Sequence, residues 1–508
     1  MKKLFLVYLL FGLVSLQNIC AQTSSLLVKT TIGEEVINEF MPDGRIFLFV
    51  SESKRNQPRL NTWPDRSGKI FAINLSDWNP KVEFVFNGSQ KLTKTADVSL
   101  NEFPNGDYRI QVLWDQDRDE SGINAPGNLY SDPLSIELSD DLSVELIIKN
   151  IIEPEKLADH RFLKEVDIKS KLLSRWWKKE MRMKAAILLP SGYYDEPERK
   201  YPVRYSIAGY GGRYTRANRF VKWDRNFLDW WLSDDAPQII NVFLDGEGPY
   251  GDCYQMNSEN NGPYGTALIE ELIPYIEKKF RAIATPESRF LDGCSTGGWV
   301  SLALQIFYPD HFNGCFSYSP DPVDFENFQL INIYKDKNVF YNEYGYLRPL
   351  VRNITGEPIT SQKDFIRFEN VLGWNDTYTT SGGQFGGFNA LFSPKGKDGL
   401  PKPLFDPHTG EINKKVAEHW QKFDLKYYLK NNWKKVGLKI QGKIWIWMGD
   451  MDNFYLNPAL RELHEMLQET ENPRSDASIN FSSMSGHCSE YSHKKVLMQI
   501  AEKLKSAL

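Results

Sequence analysis

The chain has 508 residues and a formal net charge of −5, with 41% hydrophobic and 25% charged side chains. That length accommodates two domains with sizeable cores, and the mild acidity argues against a nucleic-acid or anionic-membrane partner. After the first twenty residues no apolar stretch is long enough to suggest a membrane span.

Residues 1–22 read as a secretory signal. Lys2 and Lys3 precede an apolar run from Leu4 to Leu16, and Ile19-Cys20-Ala21 before Gln22 offers a cleavage site. Gln17-Asn18-Ile19 is a poor lipobox, which argues against lipidation at Cys20. The expected mature chain is exported, secreted or periplasmic, with a charge of −7 once the two lysines are gone. Its four cysteines, Cys253, Cys294, Cys315 and Cys488, then sit where a disulfide persists.

From 23 to 150 short strand-like runs alternate with turns. Arg45–Val50, Val82–Phe86, Tyr108–Leu113 and Ser143–Ile148 are separated by Pro42-Asp43-Gly44, Asn87-Gly88 and Pro104-Asn105-Gly106. This spacing predicts an all-β, sandwich-like domain. The polar stretch that follows, 151–182, reads as a linker leading into the second domain.

From Met183 to the C-terminus strands alternate with helices, the pattern of a mostly parallel sheet covered on both faces. Ala185–Leu189, Val203–Ala208, Ile239–Leu244, Arg289–Asp292, Gly314–Tyr318, Lys443–Met448 and Ala477–Phe481 are the expected strands. A helix over Thr266–Phe280 puts Leu268, Leu272, Ile273, Ile276 and Phe280 on one face, with Pro274 as its flaw. Another starts at Thr296 and stops at Pro309. Residues 322–435, rich in Gly, Pro, Asn and aromatics, fit no sheet rhythm and are expected to form a large lid insertion.

Gly293-Cys294-Ser295-Thr296-Gly297-Gly298 carries a Gly-x-Ser-x-Gly nucleophile elbow between a predicted strand and a predicted helix. Ser295 needs a base, an acid to orient that base, and donors for an oxyanion. His487 is chosen from seven histidines because Gly486 before it permits a tight loop, with His493 the nearby competitor. Asp452, after the buried run Lys443–Met448, is chosen over Asp450, which abuts Gly449 and reads as a turn cap. The order Ser, Asp, His is that of an α/β-hydrolase. Gly209-Tyr210-Gly211-Gly212 follows a strand end, so the backbone N–H groups of Tyr210 and Thr296 are the expected oxyanion donors. If Ser295 and His487 meet, Cys294 and Cys488 beside them come within disulfide reach. No cofactor or metal is expected: Asp115, Asp117 and Asp119 fail the EF-hand pattern, with Glu120 and Pro126 at its sixth and twelfth positions.

Tyr201-Pro202-Val203, Gly209-Tyr210-Gly211-Gly212, Glu271–Glu277, the serine elbow and Tyr308-Pro309-Asp310 together resemble the putative esterase family of α/β-hydrolases, which includes esterase D and enterochelin-esterase-like enzymes. The resemblance covers about 183–320 and 440–508. It implies an esterase with Ser295, Asp452 and His487 as triad. Ala208 departs from the histidine common in that family before the glycine turn. The cysteines flanking Ser295 and His487 resemble the tannase and feruloyl esterase family, in which a disulfide joins these neighbours. Export and the β domain suggest a small or glycan-linked ester as substrate, acetyl or feruloyl in type. The alternatives are a carbohydrate-binding protein on a hydrolase scaffold and a serine peptidase. Since every chemical candidate lies after residue 200, the β domain is expected to contribute no atom to the chemistry; if it only binds or positions an extended substrate it is dispensable for small esters, and the competing reading is that it packs on the sheet or rims the cleft.

Overall fold

The computed structural model describes residues 22–64 and 67–506, so the predicted signal lies, but for Gln22, outside the described residues. Strands β1 (Leu26–Ile32), β2 (Gly44–Ser51), β3 (Gly68–Leu75), β4 (Phe84–Phe86), β5 (Thr93–Lys94), β6 (Gly106–Asp115), β7 (Leu129–Ser131), β8 (Leu134–Leu138) and β9 (Leu142–Ile151) form one nine-stranded sheet. Its order is β4-β1-β9-β7-β6-β2-β3-β5, with β8 also on β6. The sheet curls over a shared core: Val28 of β1, Leu48 of β2, Phe71 of β3, Val112 of β6 and Ile148 of β9 belong to one cluster. In place of two separate sheets, a single path turns the corner at Pro133. There β8 pairs with the first half of β6, while β7 pairs with the second half and with β9. A proline offers no ladder N–H, so the break falls where pairing changes partner.

Strand β2 is buried at every position. Ile46, Leu48 and Val50 face the curled core, and Phe47 and Phe49 face outward into a second apolar cluster. An unbroken apolar run is what burial on both faces demands.

The second sheet contains β10 (Leu163–Lys169), β11 (Arg182–Leu188), β12 (Val203–Ile207), β13 (Ile240–Leu244), β14 (Arg289–Cys294), β15 (Cys315–Tyr318), β16 (Ile444–Gly449) and β17 (Ser478–Ser482). The order is β10-β11-β13-β12-β14-β15-β16-β17. β10 and β11 pair antiparallel, and β11 meets β13 antiparallel. The rest of the sheet is parallel. β10 lies inside the stretch expected to be a linker. As an edge strand it buries only Leu163 and Val166, and its charged residues between them give the segment its polar look.

Helix α1 (Thr296–Phe307) follows β14 directly and is buried from Thr296 through Ile306. The predicted helix near Pro274 is present over 264–279, with a π turn at Leu268–Leu272. The wider turn absorbs the missing N–H and the ring of Pro274 two residues later.

Between β15 and β16 the chain folds into a hairpin (Pro349–Arg352 with Pro358–Ser361), helix α2 (Gln362–Leu372), helix α3 (Gln384–Phe392) and helices Lys414–Trp420 and Leu425–Ile440. This segment packs on the N-terminal sheet. Phe368, Val371 and Leu372 of α2 share a cluster with Phe47, Phe49, Ile70 and Leu113. Arg45, 1% exposed, donates to the Val371 carbonyl at 3.0 Å and pairs with Asp376 at 2.8 Å. No helix among the described residues is long and apolar enough to cross a membrane.

Candidate active site

Ser295 stands between the last residue of β14 and the first of α1, with φ 61° and ψ −126°. A left-handed serine is strained, and such strain collects at functional turns. The two flanking glycines are required by close approach. A Cβ on Gly293 would lie 2.4 Å from the Gly297 carbonyl carbon, and one on Gly297 would lie 2.4 Å from the Ile207 oxygen. Gly209 rests against Ser295, and Thr296 opens α1, where N–H groups lack helical partners.

Asp452 and His487 come together from the loops after β16 and β17. The Asp452 carboxylate is fully buried and meets His487 Nδ1 at 2.6 Å through Oδ2. Its Oδ1 accepts from the N–H of Phe454 at 2.9 Å and of Leu456 at 3.3 Å, so both oxygens are committed. Asn453 Oδ1 accepts the His487 N–H at 2.9 Å, and the Phe454 ring meets the imidazole edge-on at 4.8 Å. Asp450 is turned away and pairs with Arg461. His493, the competitor, is buried among Phe220, Phe243, Tyr491 and Arg204; burial and the neighbouring guanidinium groups push its pKa well below the usual histidine range.

Cys294 and Cys488 form a disulfide with Cα atoms 6.0 Å apart, linking the residue before Ser295 to the residue after His487. The Cys488 N–H also donates to Ser319 Oγ at 3.1 Å. Cys253 and Cys315 are free and buried.

Ser295, His487, Cys294, Cys488 and Tyr210 line one cavity of about 490 Å³. Its other walls are mostly rings and aliphatic chains, among them Trp63, Leu350, Phe365, Phe385, Phe388 and Phe454. Phe388 is thus a cavity wall; Tyr378 packs on Phe405 and Trp374 lies under Arg118. Trp63 belongs to the N-terminal region and touches Phe365 and Phe454 at centroid distances of 5.2 and 5.9 Å. The N-terminal region therefore contributes a wall to the cavity that holds Ser295 and His487. Nothing in the turn-rich sequence around Trp63 signals such a contact, because it depends on how the two sheets are docked.

Asp321 is a second residue the sequence reading missed. It follows β15, is buried, and receives the Ser295 hydroxyl at a long 3.5 Å. Its other oxygen accepts from Thr296 Oγ1 at 3.0 Å, from the Tyr254 hydroxyl at 3.2 Å and from Gln384 Nε2 at 3.2 Å. Burial raises its pKa to about 6, opposed by the Thr296 bond and by the charge of His487. An acid at the C-terminal end of a parallel strand was the available signal. Gln384 is held by α3, whose first N–H groups bind the buried Glu369 carboxylate of α2.

A mostly parallel sheet with an elbow at a strand end and an acid–histidine pair at two later strand ends defines an α/β-hydrolase. The family described as putative esterase matches residues 178–499. That is more than half of the chain, so this protein belongs to the putative esterase family and is a carboxylic-ester hydrolase. No curated protein matches the sequence significantly. Among solved structures, a ferulic acid esterase overlaps it with a TM-score of 0.41 and 16% identity, over 68% of this chain and 98% of that one. An S-formylglutathione hydrolase from Agrobacterium tumefaciens gives 0.37 and 12%, over 68% and 95%. A ferulic acid esterase from Anaeromyces mucronatus gives 0.32 and 15%, over 68% and 89%.

Proposed function

We propose that this protein is an exported serine esterase that cleaves esters of bulky, aromatic acids. The observation that carries this reading is the Asp452–His487 pair at 2.6 Å opening onto the same ring-lined cavity as the strained Ser295. His487 Nδ1 faces Asp452, which leaves Nε2 to take the Ser295 proton; the 3.5 Å bond to Asp321 is too loose to hold that hydroxyl elsewhere. Serine Oγ then attacks the ester carbonyl, and the N–H groups of Thr296 and Tyr210 receive the oxyanion. His487 returns the proton to the departing alcohol, and water, deprotonated by the same imidazole, releases the acid from Ser295.

A cavity of about 490 Å³ walled by Trp63, Phe365, Phe385, Phe388 and Phe454 matches an aromatic acyl group better than an acetyl group, which would leave most of that apolar wall unburied. The segment 322–435 serves as its roof and, by its packing on the N-terminal sheet, as a fixed cap. Feruloyl and galloyl esters, set against acetyl esters of the same alcohols, test the preference. A p-nitrophenyl ester tests the chemistry: turnover is expected in the wild type and near background in Ser295→Ala with an unchanged circular dichroism spectrum. Turnover retained by Ser295→Ala would remove the serine from the mechanism.

A further inference from the structure

Behind the Gly209–Gly212 turn lies a second cavity, of about 250 Å³. Tyr210 and Gly212 line both cavities, so the two meet at the proposed oxyanion loop, where among the described residues the only link across the junction from the Tyr210 side chain is a long 3.5 Å contact of its hydroxyl with the Gly382 carbonyl. Their chemistry differs. The second has Glu120, Asn124 and Thr62 from the N-terminal region on one side and Glu247 and Asp252 from the loop after β13 on the other. Among the described residues no aromatic ring other than Tyr210 lines it.

Three carboxyl groups, Glu120, Glu247 and Asp252, face this cavity. Among the described residues Arg213 is the one guanidinium in its wall, and it is already engaged by Glu120 at 2.8 Å and Asp245 at 2.9 Å, with Glu247 at 3.6 Å. Glu247 Oε1 is buried and has no hydrogen-bond partner. Asp252 spends Oδ1 on the Tyr254 N–H at 2.7 Å, and its Oδ2 lies beside Gly246, where a Cβ would meet it at 2.6 Å. Leaving a buried oxygen such as Glu247 Oε1 unsatisfied costs more than a single hydrogen bond returns. Burial accordingly lifts Glu247 to about 8 and Asp252 to about 7. A ligand rich in O–H groups supplies the missing donors, and a carboxyl group serves a hydroxyl as acceptor when charged and as donor when protonated.

We propose that this second cavity is the subsite for the alcohol half of the substrate and takes a polyhydroxylated alcohol such as a sugar residue, held by Glu247 and Asp252 across from the N-terminal region. An ester seated at Ser295 would then place its acyl group among the rings and its alcohol past Tyr210 in the polar cavity. This inference rests on the serine esterase reading for its register, and the experiment separates the two.

Three esters of one acid, methyl cinnamate, 6-O-cinnamoylglucose and cinnamoylcholine, are compared in the wild type, Glu247→Gln and Asp252→Asn. The wild type is expected to favour the glucose ester over the methyl ester by about tenfold in kcat/KM, the scale of one or two hydrogen bonds to a charged or buried partner. In each variant that ratio is expected to drop about fivefold or more, chiefly through KM, with the thermal midpoint showing a folded protein. An equal rate on the methyl and glucose esters, or a ratio that both variants preserve, overturns the subsite. A choline ester that outruns the glucose ester overturns the polyol assignment in favour of a cationic alcohol. If no ester is turned over, the serine esterase reading falls. The cavity is then judged by calorimetric titration of methyl β-glucoside into the wild type and Glu247→Gln, where binding lost in the variant supports it and no binding to either overturns it.

Discussion

Asp450 and Asp452 differ by two positions and occupy opposite environments. The first is on the surface with Arg461; the second is buried with one oxygen on His487 and the other on two backbone N–H groups. Asp452→Asn would present an amide to Nδ1 and favour the wrong tautomer, and a loss of about 10⁴ in kcat is expected. Asp450→Asn removes an exposed ion pair worth little, so its activity on a p-nitrophenyl ester should stay within about twofold of wild type. Losses of equal size would move the acid assignment. Asp321 acts one step away, through its charge beside Ser295 and His487. Above about pH 6 it is ionised and adds a negative charge to the site. Asp321→Asn should therefore shift the acid limb of the kcat/KM profile to lower pH; an unmoved limb would reduce Asp321 to a structural anchor for Thr296, Tyr254 and Gln384.

Two elements tie the site to distant parts of the chain. The Cys294–Cys488 bond closes a loop across a sequence separation of 194 residues, for which loop-closure entropy gives an upper value of about 5 kcal/mol. It also pins the His487 loop to the elbow. The Cys294→Ala, Cys488→Ala double variant should unfold at lower urea than the wild type under oxidising conditions, with the difference vanishing once both are reduced. Helix α2 is the second tie: its face of Phe368, Val371 and Leu372 is covered by β2, β3 and β6, and its Glu369 caps α3, which carries Gln384 to Asp321. Deleting residues 23–150 exposes that face, at about 2 kcal/mol for each large apolar side chain, and removes Trp63 from the cavity. The truncated chain is therefore expected to be insoluble or inactive even on a small ester. A folded, active truncation, shown by circular dichroism and a p-nitrophenyl assay, would return the N-terminal region to a purely accessory role.

Across the whole molecule, several carboxyl groups are buried or partly buried and shifted upward: the partly buried Glu247 to about 8, and the buried Asp115, Asp252 and Glu369 to about 7. Such groups bind protons more tightly folded than unfolded. Their effect on stability is therefore absent near pH 4 and becomes an increasing cost as pH rises through their folded values. His493, shifted downward, opposes this only where an unfolded histidine is protonated, below about pH 6.5. The thermal midpoint is accordingly expected to be higher at pH 6.5 than at pH 8.5. A midpoint that rises over that interval would show these carboxyl groups to be better paired than their surroundings indicate.

Much of this arrangement is legible in the chain. Gly293-Cys294-Ser295-Thr296-Gly297 announces a strand-to-helix turn because only glycine fits where Gly293 meets Gly297 and Gly297 meets Ile207. The alternation of apolar runs and amphipathic helices specifies the parallel sheet, since hydrophobic periodicity is a local property. The unbroken run Ile46–Val50 also shows that β2 is covered on both faces, yet it cannot say by what. Trp63 beside Phe454, Asp321 beneath Ser295, α2 against β2 and the acceptor-rich cavity behind Tyr210 all join residues far apart in sequence. Those juxtapositions were decided only by the tertiary structure, because no periodicity or motif encodes which two distant surfaces exclude water from each other.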